Sequence, residues 1–137
     1  MESRSFVDTN VFVYHLLGDH SAHSPASSEF FGRIRAGEFQ AWTSETVIFE
    51  TVFTLQRKHH VPRGMIAETV RELVSLPGIL CRDKDLLLET LDLWVRETPL
   101  SFADCYHLLY ARHIGLTQIY TFDRKMGRIP GVARVEP

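Results

Sequence analysis

Four carboxylates occur at positions where α/β proteins commonly carry functional groups. Asp8 lies in the run Phe6-Val7-Asp8-Thr9-Asn10-Val11, which we interpret as the first strand of a buried sheet, and Asp123 follows a strand predicted over 118–121. Asp104 falls in the first turn of a predicted helix, and Glu50 lies inside a largely apolar one. Because open α/β sheets bind their ligands beyond the carboxyl ends of the strands, we expect these acids to converge there.

Each acid also has a structural explanation when it is taken alone. The Asp-Thr-Asn sequence at Asp8 is typical of turns, because these side chains bond to nearby backbone groups. Ser101 and Asp104 have the spacing of a capping box, in which the acid serves the helix N-terminus without a catalytic role. Glu50 lies either on a solvated edge of its helix or in apolar surroundings. Apolar surroundings would disfavour its charged form unless a cation compensates.

A cluster of ionised carboxylates repels itself and therefore needs protons or cations. Oxygen ligands without an accompanying cysteine select Mg²⁺ or Mn²⁺ over zinc, and Mg²⁺ sites combine a few carboxylates with waters and substrate phosphate. Such a site would polarise a phosphodiester and activate a water molecule for attack. Taken together, the four acids predict metal-assisted hydrolysis of a phosphodiester.

The rest of the chain predicts the elements that position these acids. We expect helices from a cap at Ser24 or Ser27 to about Gly37, after a cap at Ser44, over 65–76, from a cap at Asp83 or Asp85 to just before Pro99, and from 100–104 to Gly115. Further strands are expected over 39–43, 79–82, 118–121 and 132–135. Strands that alternate with helices are typical of a parallel sheet with helices on both faces. Residues 1–137 are therefore predicted to form a single α/β domain.

The composition is that of an ordinary globular chain. Hydrophobic residues make up 45% of its 137 positions, and the net charge of −2 argues against coating nucleic acid through bulk charge. No apolar stretch approaches the roughly 20 residues of a membrane span, and the first residues do not resemble a signal peptide. Cys81 and Cys105 form no metal-binding or disulfide-rich pattern. We expect a cytoplasmic protein with no membrane association.

Two groups of basic residues admit two interpretations each. Histidine is the commonest nitrogen ligand of transition metals, but without cysteines or a fixed helical spacing we expect solvated loop side chains at His15, His20 and His23. Positive charge follows the last of the four acids, at Arg124 and Lys125. These two residues are either solvated surface or phosphate contacts that position a nucleic acid.

The acids and their neighbours resemble the PIN-domain ribonucleases, and within that family the VapC-like toxins of type II toxin–antitoxin pairs. The similarity rests on Phe6-Val7-Asp8-Thr9-Asn10, on residues 44–50, on Ser101-Phe102-Ala103-Asp104 and on Thr121-Phe122-Asp123. Each motif alone is weak, whereas their order, spacing and the total length of the chain are specific.

The resemblance implies a three-layer α/β/α domain with a central parallel sheet. It also implies a quartet of catalytic, metal-binding acids that depends on Mg²⁺ or Mn²⁺, namely Asp8, Glu50, Asp104 and Asp123. The supporting polar residues would be Thr9, Asn10, Ser101 and Thr121. The resemblance further implies endonucleolytic cleavage of RNA to a 5′-phosphate and a 3′-hydroxyl, a homodimer, and a small antitoxin that blocks the site.

Other interpretations stay open on the sequence alone. A phosphohydrolase of the haloacid-dehalogenase type would carry a second Asp where this chain has Asn10. A receiver domain would pair acids near the first strand with a phosphate-facing lysine, for which Lys125 is the candidate. A PIN-like module that binds RNA or a protein without cleaving it would share the fold and differ only in activity.

Overall fold

The computed structural model describes residues 4–137. The chain forms two compact units, unit 1 (Met1–Lys84) and unit 2 (Asp85–Pro137). Both units combine helices with a pair of short parallel strands, which confirms the predicted α/β class. No helix within residues 4–137 is both long enough and apolar enough to cross a membrane.

Unit 1 contains four helices and one pair of strands. The helices are α1 (Thr9–Leu17), α2 (His23–Arg35), α3 (Glu45–Arg57) and α4 (Arg63–Val74), and the strands are β1 (Ala41–Trp42) and β2 (Ile79–Leu80). The strands pair in parallel with Ala41 opposite Ile79. Helix α3 begins where predicted, because the Ser44 side chain accepts the amide of Val47 at 3.2 Å.

The opening segment is shorter as a strand than its sequence predicts. Phe6 forms an isolated parallel bridge with Trp42, and the amide of Val7 donates to the Trp42 carbonyl at 2.8 Å. The chain then turns directly into α1, because Oδ1 of Asp8 accepts the amide of Thr9 at 2.7 Å and caps the helix. The prediction of a strand over residues 6–11 is therefore wrong, because only the bridge at Phe6 forms and the helix begins at Thr9.

Helix α2 does not begin at either predicted serine cap. Ser24 and Ser27 lie inside the helix and are buried, and the Ser24 hydroxyl donates to the carbonyl of Tyr14 at 2.7 Å, tying α2 to α1. The amide of His23 is instead accepted by Nδ1 of His20 at 2.9 Å. An imidazole therefore satisfies a helix N-terminus for which a hydroxyl was expected.

The core of unit 1 joins α1, which begins after Asp8, and α3, which carries Glu50, to α2, α4 and β2. Fully enclosed apolar side chains come from all four helices and β2: Phe12, Phe31, Ile48, Leu55, Ile66, Leu73 and Ile79. The rings of Phe12 and Phe31 join α1 to α2, with centroids 5.1 Å apart. At Gly78 an added Cβ would lie 2.7 Å from Cγ2 of Ile34, so a glycine is required where α2 approaches the start of β2.

Unit 2 contains two long helices, a short 3-10 helix and two strands. They are α5 (Lys84–Arg96), α6 (Phe102–His113), β3 (Gln118–Tyr120), the 3-10 helix (Arg124–Gly127) and β4 (Ala133–Val135). β3 and β4 pair in parallel, which confirms the late strand and the edge strand. Trp94 is fully buried and meets the ring of Phe102 edge-on, at 5.7 Å between centroids. Asp85 lies in the first turn of α5.

Candidate active site

Asp8 lies at the N-terminus of α1 and is exposed. Its backbone is extended, while its carboxylate accepts the Thr9 amide, so the residue ends the bridged segment and starts the helix. The positive end of the helix dipole favours a negative charge at this position. The expectation that an Asp-Thr-Asn sequence would bond to nearby backbone is confirmed, and the carboxylate remains accessible to solvent.

Glu50 extends from the polar side of α3. Its side chain is exposed, so the apolar surroundings considered for it are wrong and the solvated edge is confirmed. The buried stripe of α3 runs along the other side of the helix, through Val47, Ile48, Thr51, Val52 and Leu55. The Thr9 hydroxyl donates to Oε2 of Glu50 at 2.8 Å, which joins the start of α1 to the middle of α3.

Asp8 and Glu50 line the same cavity, which has a volume of about 480 Å³ and lies within unit 1. From α1 and its cap it is lined by Asp8, Thr9, Asn10, Val13, Tyr14 and Leu17. Asp19 and His20 line it from the connection to α2, and Glu50, Thr54, Lys58 and His59 from α3 and the residues after it. The structure thus brings together two of the four predicted acids.

The cavity is also lined by Tyr14, Lys58 and His59, which are not among the predicted site residues, and by His20, for which a solvated loop side chain was expected. A signal for them is nevertheless present, because Glu50, Thr54 and Lys58 are spaced four residues apart and therefore lie on one face of α3. The polar stripe runs beside the apolar positions from which α3 is predicted.

Charge in the cavity has both signs. Lys58 is the C-cap residue of α3, where the helix dipole favours a cation. Within residues 4–137 no carboxylate lies close enough to Lys58 to form an ion pair. Eight residues of α-helix span about 12 Å, so the lysine lies well along the helix from Glu50. Along α3 the cavity therefore has an acid at Glu50 and a cation at Lys58, while Asp19 adds a further carboxylate from the connection to α2.

The three early histidines, His15, His20 and His23, all contact neighbouring side chains. The rings of His20 and His23 stack with centroids 4.1 Å apart, and both touch the ring of Tyr14. Nδ1 of His15 lies 2.9 Å from Oγ of Ser28. Burial, followed by the positive charge of Arg35, lowers the pKa of His15 below its usual 6.5.

Asp104 lies in unit 2, in the first turn of α6, and the predicted capping box is confirmed. The Asp104 amide donates to Oγ of Ser101 at 3.0 Å, and the Ser101 amide donates to Oδ2 of Asp104 at 3.1 Å. One carboxylate oxygen is therefore committed to the helix end, which fixes the orientation of the group.

Asp123, also in unit 2, follows β3 as expected and caps the 3-10 helix. Its Oδ1 accepts the amide of Lys125 at 2.9 Å, and its own amide donates to the Thr121 hydroxyl at 3.0 Å. The Lys125 ammonium lies 3.7 Å from Oδ2 of Asp123. Thr121 and Lys125 therefore hold the acid in place from both sides along the chain.

The basic residues around Asp123 divide into two groups. Arg134 is engaged with backbone, because its Nε donates to the Asp123 carbonyl at 3.0 Å and its Nη2 donates to the Phe122 carbonyl at 3.4 Å. Arg128 lies 3.7 Å from Glu97. Arg124 and Lys125 are exposed and therefore accessible to a ligand. Their contact with phosphate stays a prediction.

A metal site is not assembled within either unit. Residues 4–137 contain no group of three or more His, Cys, Asp or Glu side chains placed to hold a metal ion. Asp8 and Glu50 supply two oxygen donors to one cavity in unit 1, and Asp104 and Asp123 are each oriented by helix caps in unit 2. The convergence of all four acids stays a prediction.

Comparison with known proteins places the chain in a recognised group. A family model described as the PIN domain matches residues 5–132. Among solved structures, the chain is similar to the VapC20 toxin of Mycobacterium tuberculosis, described as cleaving the sarcin–ricin loop. The identity is 24% over 96% of this chain and 98% of that one, with a TM-score of 0.39. No curated protein matches the chain.

Proposed function

The chain belongs to the PIN-domain family, and from this premise we propose that it is an endoribonuclease that depends on Mg²⁺ or Mn²⁺. The family assignment replaces the haloacid-dehalogenase and receiver interpretations. We propose that Asp8, Glu50, Asp104 and Asp123 are its catalytic and metal-binding acids, and that the reaction hydrolyses RNA phosphodiesters to a 5′-phosphate and a 3′-hydroxyl.

The observation that supports this proposal best is the pairing of Asp8 with Glu50. The two acids come from different helices and far-apart positions in the chain, yet they line one cavity and are connected through Thr9. Two exposed carboxylates that line one cavity repel each other, so they do not stabilise the fold by themselves. Their arrangement suits the binding of a cation and a phosphate.

The donor chemistry in unit 1 fits the proposed ion. Asp8 and Glu50 offer carboxylate oxygens, Thr9 and Asn10 offer neutral oxygens, and no thiol lines the cavity. Hard oxygen donors with room for waters suit Mg²⁺ and Mn²⁺. When bound, such an ion supplies positive charge that polarises a phosphodiester and acidifies a water molecule.

The residues of this chain have distinct parts in the proposed reaction. Thr9 fixes the Glu50 carboxylate through its hydroxyl and the Asp8 carboxylate through its amide, so one residue orients two acids. Preorganised groups of this kind avoid reorganisation during the reaction. Glu50 is free to rotate only at the expense of its bond to Thr9.

In unit 2 the acids are oriented by their own local bonds. Ser101 positions Asp104 through the capping box, and Thr121 positions Asp123 by accepting its amide. Each bond lies within a few residues of the acid, so each orientation is a property of local sequence. We propose supporting roles for these two residues and for Asn10, and contacts between Arg124, Lys125 and the RNA backbone.

We further propose that the enzyme is the toxin of a type II toxin–antitoxin pair. In this proposal the protein is a cytoplasmic homodimer, and a small antitoxin protein blocks the catalytic acids until it is removed. Expression of the chain alone would then arrest growth, and co-expression of its antitoxin would relieve the arrest.

The proposed activity is tested by cleavage of cellular RNA with Asp8→Asn. Asparagine caps a helix about as well as aspartate, so the substitution removes charge and preserves the start of α1. We expect Mg²⁺-dependent cleavage by the wild type and a loss of at least roughly 100-fold in the variant. Asp85→Asn, an exposed acid in the first turn of α5, is the matched control and should retain activity.

Sequencing of the cut ends identifies the substrate and the chemistry together. We expect 5′-phosphate ends at defined positions that are absent with Asp8→Asn. Cleavage that is equal in both proteins would contradict the assignment of Asp8. RNA binding without any cleavage by the wild type would support the non-catalytic PIN-like module in its place.

A further inference from the structure

We propose that the cavity of unit 1 holds one nucleotide of a single-stranded RNA, with its base against the rings of Tyr14 and His20 and its phosphate beside Lys58 and His59. This inference rests on the proposed ribonuclease function and names residues that would position the substrate. It assigns binding roles to lining residues other than Asp8 and Glu50.

Two opposite charges that line the cavity, Glu50 and Lys58, are separated along α3. Lys58 is exposed and lines the cavity together with His59, which is half-buried. Within the described residues Lys58 has no ion-pair partner, whereas Arg33 is paired with Glu38. An unpaired ammonium beside a cavity is available to an anion, and its distance from Glu50 along the helix keeps the two charges from neutralising each other.

The rings of Tyr14 and His20 line the cavity and contact each other. The ring of Tyr14 meets His20 edge-on at 5.0 Å between centroids and lies 4.9 Å from His23. Nδ1 of His20 accepts the amides of Ala22 and His23, at 3.2 and 2.9 Å, which fixes the imidazole and leaves its hydrogen on Nε2. The ring arrangement is therefore set before any ligand binds.

The combination of these features selects the ligand. A phosphate needs a cation, a nucleobase stacks on an aromatic ring, and a strand whose bases are unpaired presents both groups at once. Bases inside a duplex are stacked on each other and cannot reach the rings. An acidic peptide would use Lys58 but would gain little from Tyr14, so the two ligands make different demands on the site.

Binding is measured by fluorescence anisotropy with a short labelled single-stranded RNA in EDTA, where cleavage does not interfere. We expect Lys58→Gln to weaken binding several-fold at low salt and to reduce the slope of log Kd against log salt by about 0.7, the value for one phosphate contact on a single strand. Tyr14→Leu should weaken binding by roughly 10-fold without changing that slope.

Matched controls lie on the same helix. Arg57→Gln removes a neighbouring cation whose guanidinium lies over the Phe53 ring, and Phe53→Leu removes an exposed ring that does not line the cavity. Both controls should bind as the wild type does. Tyr14→Phe retains the ring and should retain affinity. If Tyr14→Leu does not fold, the exposed Lys58 still tests the proposal.

Competitors distinguish the possible ligands. Unlabelled single-stranded RNA should displace the probe, and a nucleoside 5′-monophosphate should do so at higher concentration, whereas duplex RNA should displace it poorly. Affinities of Lys58→Gln and Tyr14→Leu equal to those of the controls would overturn the proposal. Displacement by an acidic peptide, combined with unchanged RNA binding by Tyr14→Leu, would assign the cavity to a protein and would also overturn it.

The cleavage assay separates this proposal from the proposed function. If RNA is cut and both cavity variants keep the wild-type KM, the catalytic assignment stands and the nucleotide site is wrong. If both variants lose RNA affinity while no protein cuts RNA, the nucleotide site stands and the catalytic assignment is wrong. With both proposals correct, Lys58→Gln and Tyr14→Leu raise KM more than they lower kcat.

Discussion

The Thr9 hydroxyl donates a hydrogen bond of 2.8 Å to Oε2 of Glu50, while the Thr9 amide donates to Oδ1 of Asp8 at 2.7 Å. A single residue in the first turn of α1 therefore contacts both of the predicted site acids that lie in unit 1. The relationship depends on packing, since α1 and α3 are joined by the core of this unit and by no local sequence motif.

Thr9→Val tests this relationship, because it removes the hydroxyl and keeps the shape and the backbone amide. We expect kcat for RNA cleavage to fall by roughly 10- to 100-fold, as is typical when a group that orients a metal ligand is lost. KM should change little, since neither acid is removed. Thr9→Ser restores the hydroxyl and should recover most of the activity, and a variant with full kcat would show that Glu50 needs no support.

Divalent cations should raise the melting temperature of the wild type, because an ion that binds only the folded protein stabilises it by mass action. Chelation with EDTA should reverse the shift. Asp8→Asn combined with Glu50→Gln should reduce it, as measured by differential scanning calorimetry with and without millimolar Mg²⁺ or Mn²⁺. An equal shift in the double variant would place the ion elsewhere.

Arg124 and Lys125 should contribute to RNA binding through charge alone. Replacing both with Gln removes two cations, so the slope of log Kd against log salt should fall by about 1.4 for a single strand. Arg33→Gln, which removes an exposed cation paired with Glu38, is the control. If the affinity and the slope are unchanged, the two residues are only solvated surface.

His15 should make the protein less stable in mild acid. Burial, and then the charge of Arg35, lower its pKa in the folded state below 6.5, while Glu72 acts in the opposite direction. As pH falls, His15 therefore takes up a proton in the unfolded chain before it does so in the folded protein. The stability that neutral His15 contributes is complete above pH 6.5 and is lost progressively below it, down to the folded pKa. The melting temperature between about pH 7.5 and 5 should fall less in His15→Gln than in the wild type. His113→Gln, an exposed position on α6, is the control, and parallel curves for all three proteins would contradict the assignment.

Ser101→Ala should remove half of the capping box on α6. A lost serine cap destabilises a protein by about 0.5–2 kcal/mol, and Asp104 would lose the geometry that its partner imposes. Urea denaturation measures the first effect, and kcat measures the second. Ser101→Thr can still accept the Asp104 amide and should stay close to the wild type in both measurements, so an equal loss in Ser101→Thr would point to packing instead of capping.

Local chemistry was predictable along much of the chain. The caps at Ser44 and Ser101, the late strands and the α/β class were identified from residue types and short spacings, and the structure confirms them. These features depend on hydrogen bonds between residues a few positions apart. Because such bonds are decided by the local sequence, they can be inferred from it.

The failures involve contacts between helices, together with local helix caps that residue type alone did not indicate. Ser24 was expected to cap α2, but it bonds to Tyr14 on the neighbouring helix, and an imidazole takes over the helix end. The strand predicted over residues 6–11 is reduced to a single bridge at Phe6, because a capping bond at Asp8 and the packing of Phe12 favour helix from Thr9 onwards. Apolar periodicity alone does not distinguish a short buried strand from the start of a buried helix.

The sequence by itself determined which residues carry charge near predicted strand exits and helix starts, and from these it predicted the site acids and their chemistry. Only the tertiary structure decided that Asp8 and Glu50 line one cavity, that Thr9 connects them, and that Tyr14, His20 and Lys58 line the same space. The physical reason is that a cavity forms between elements that are distant in the chain. Its lining depends on how helices pack and on which faces remain exposed, which no single segment specifies.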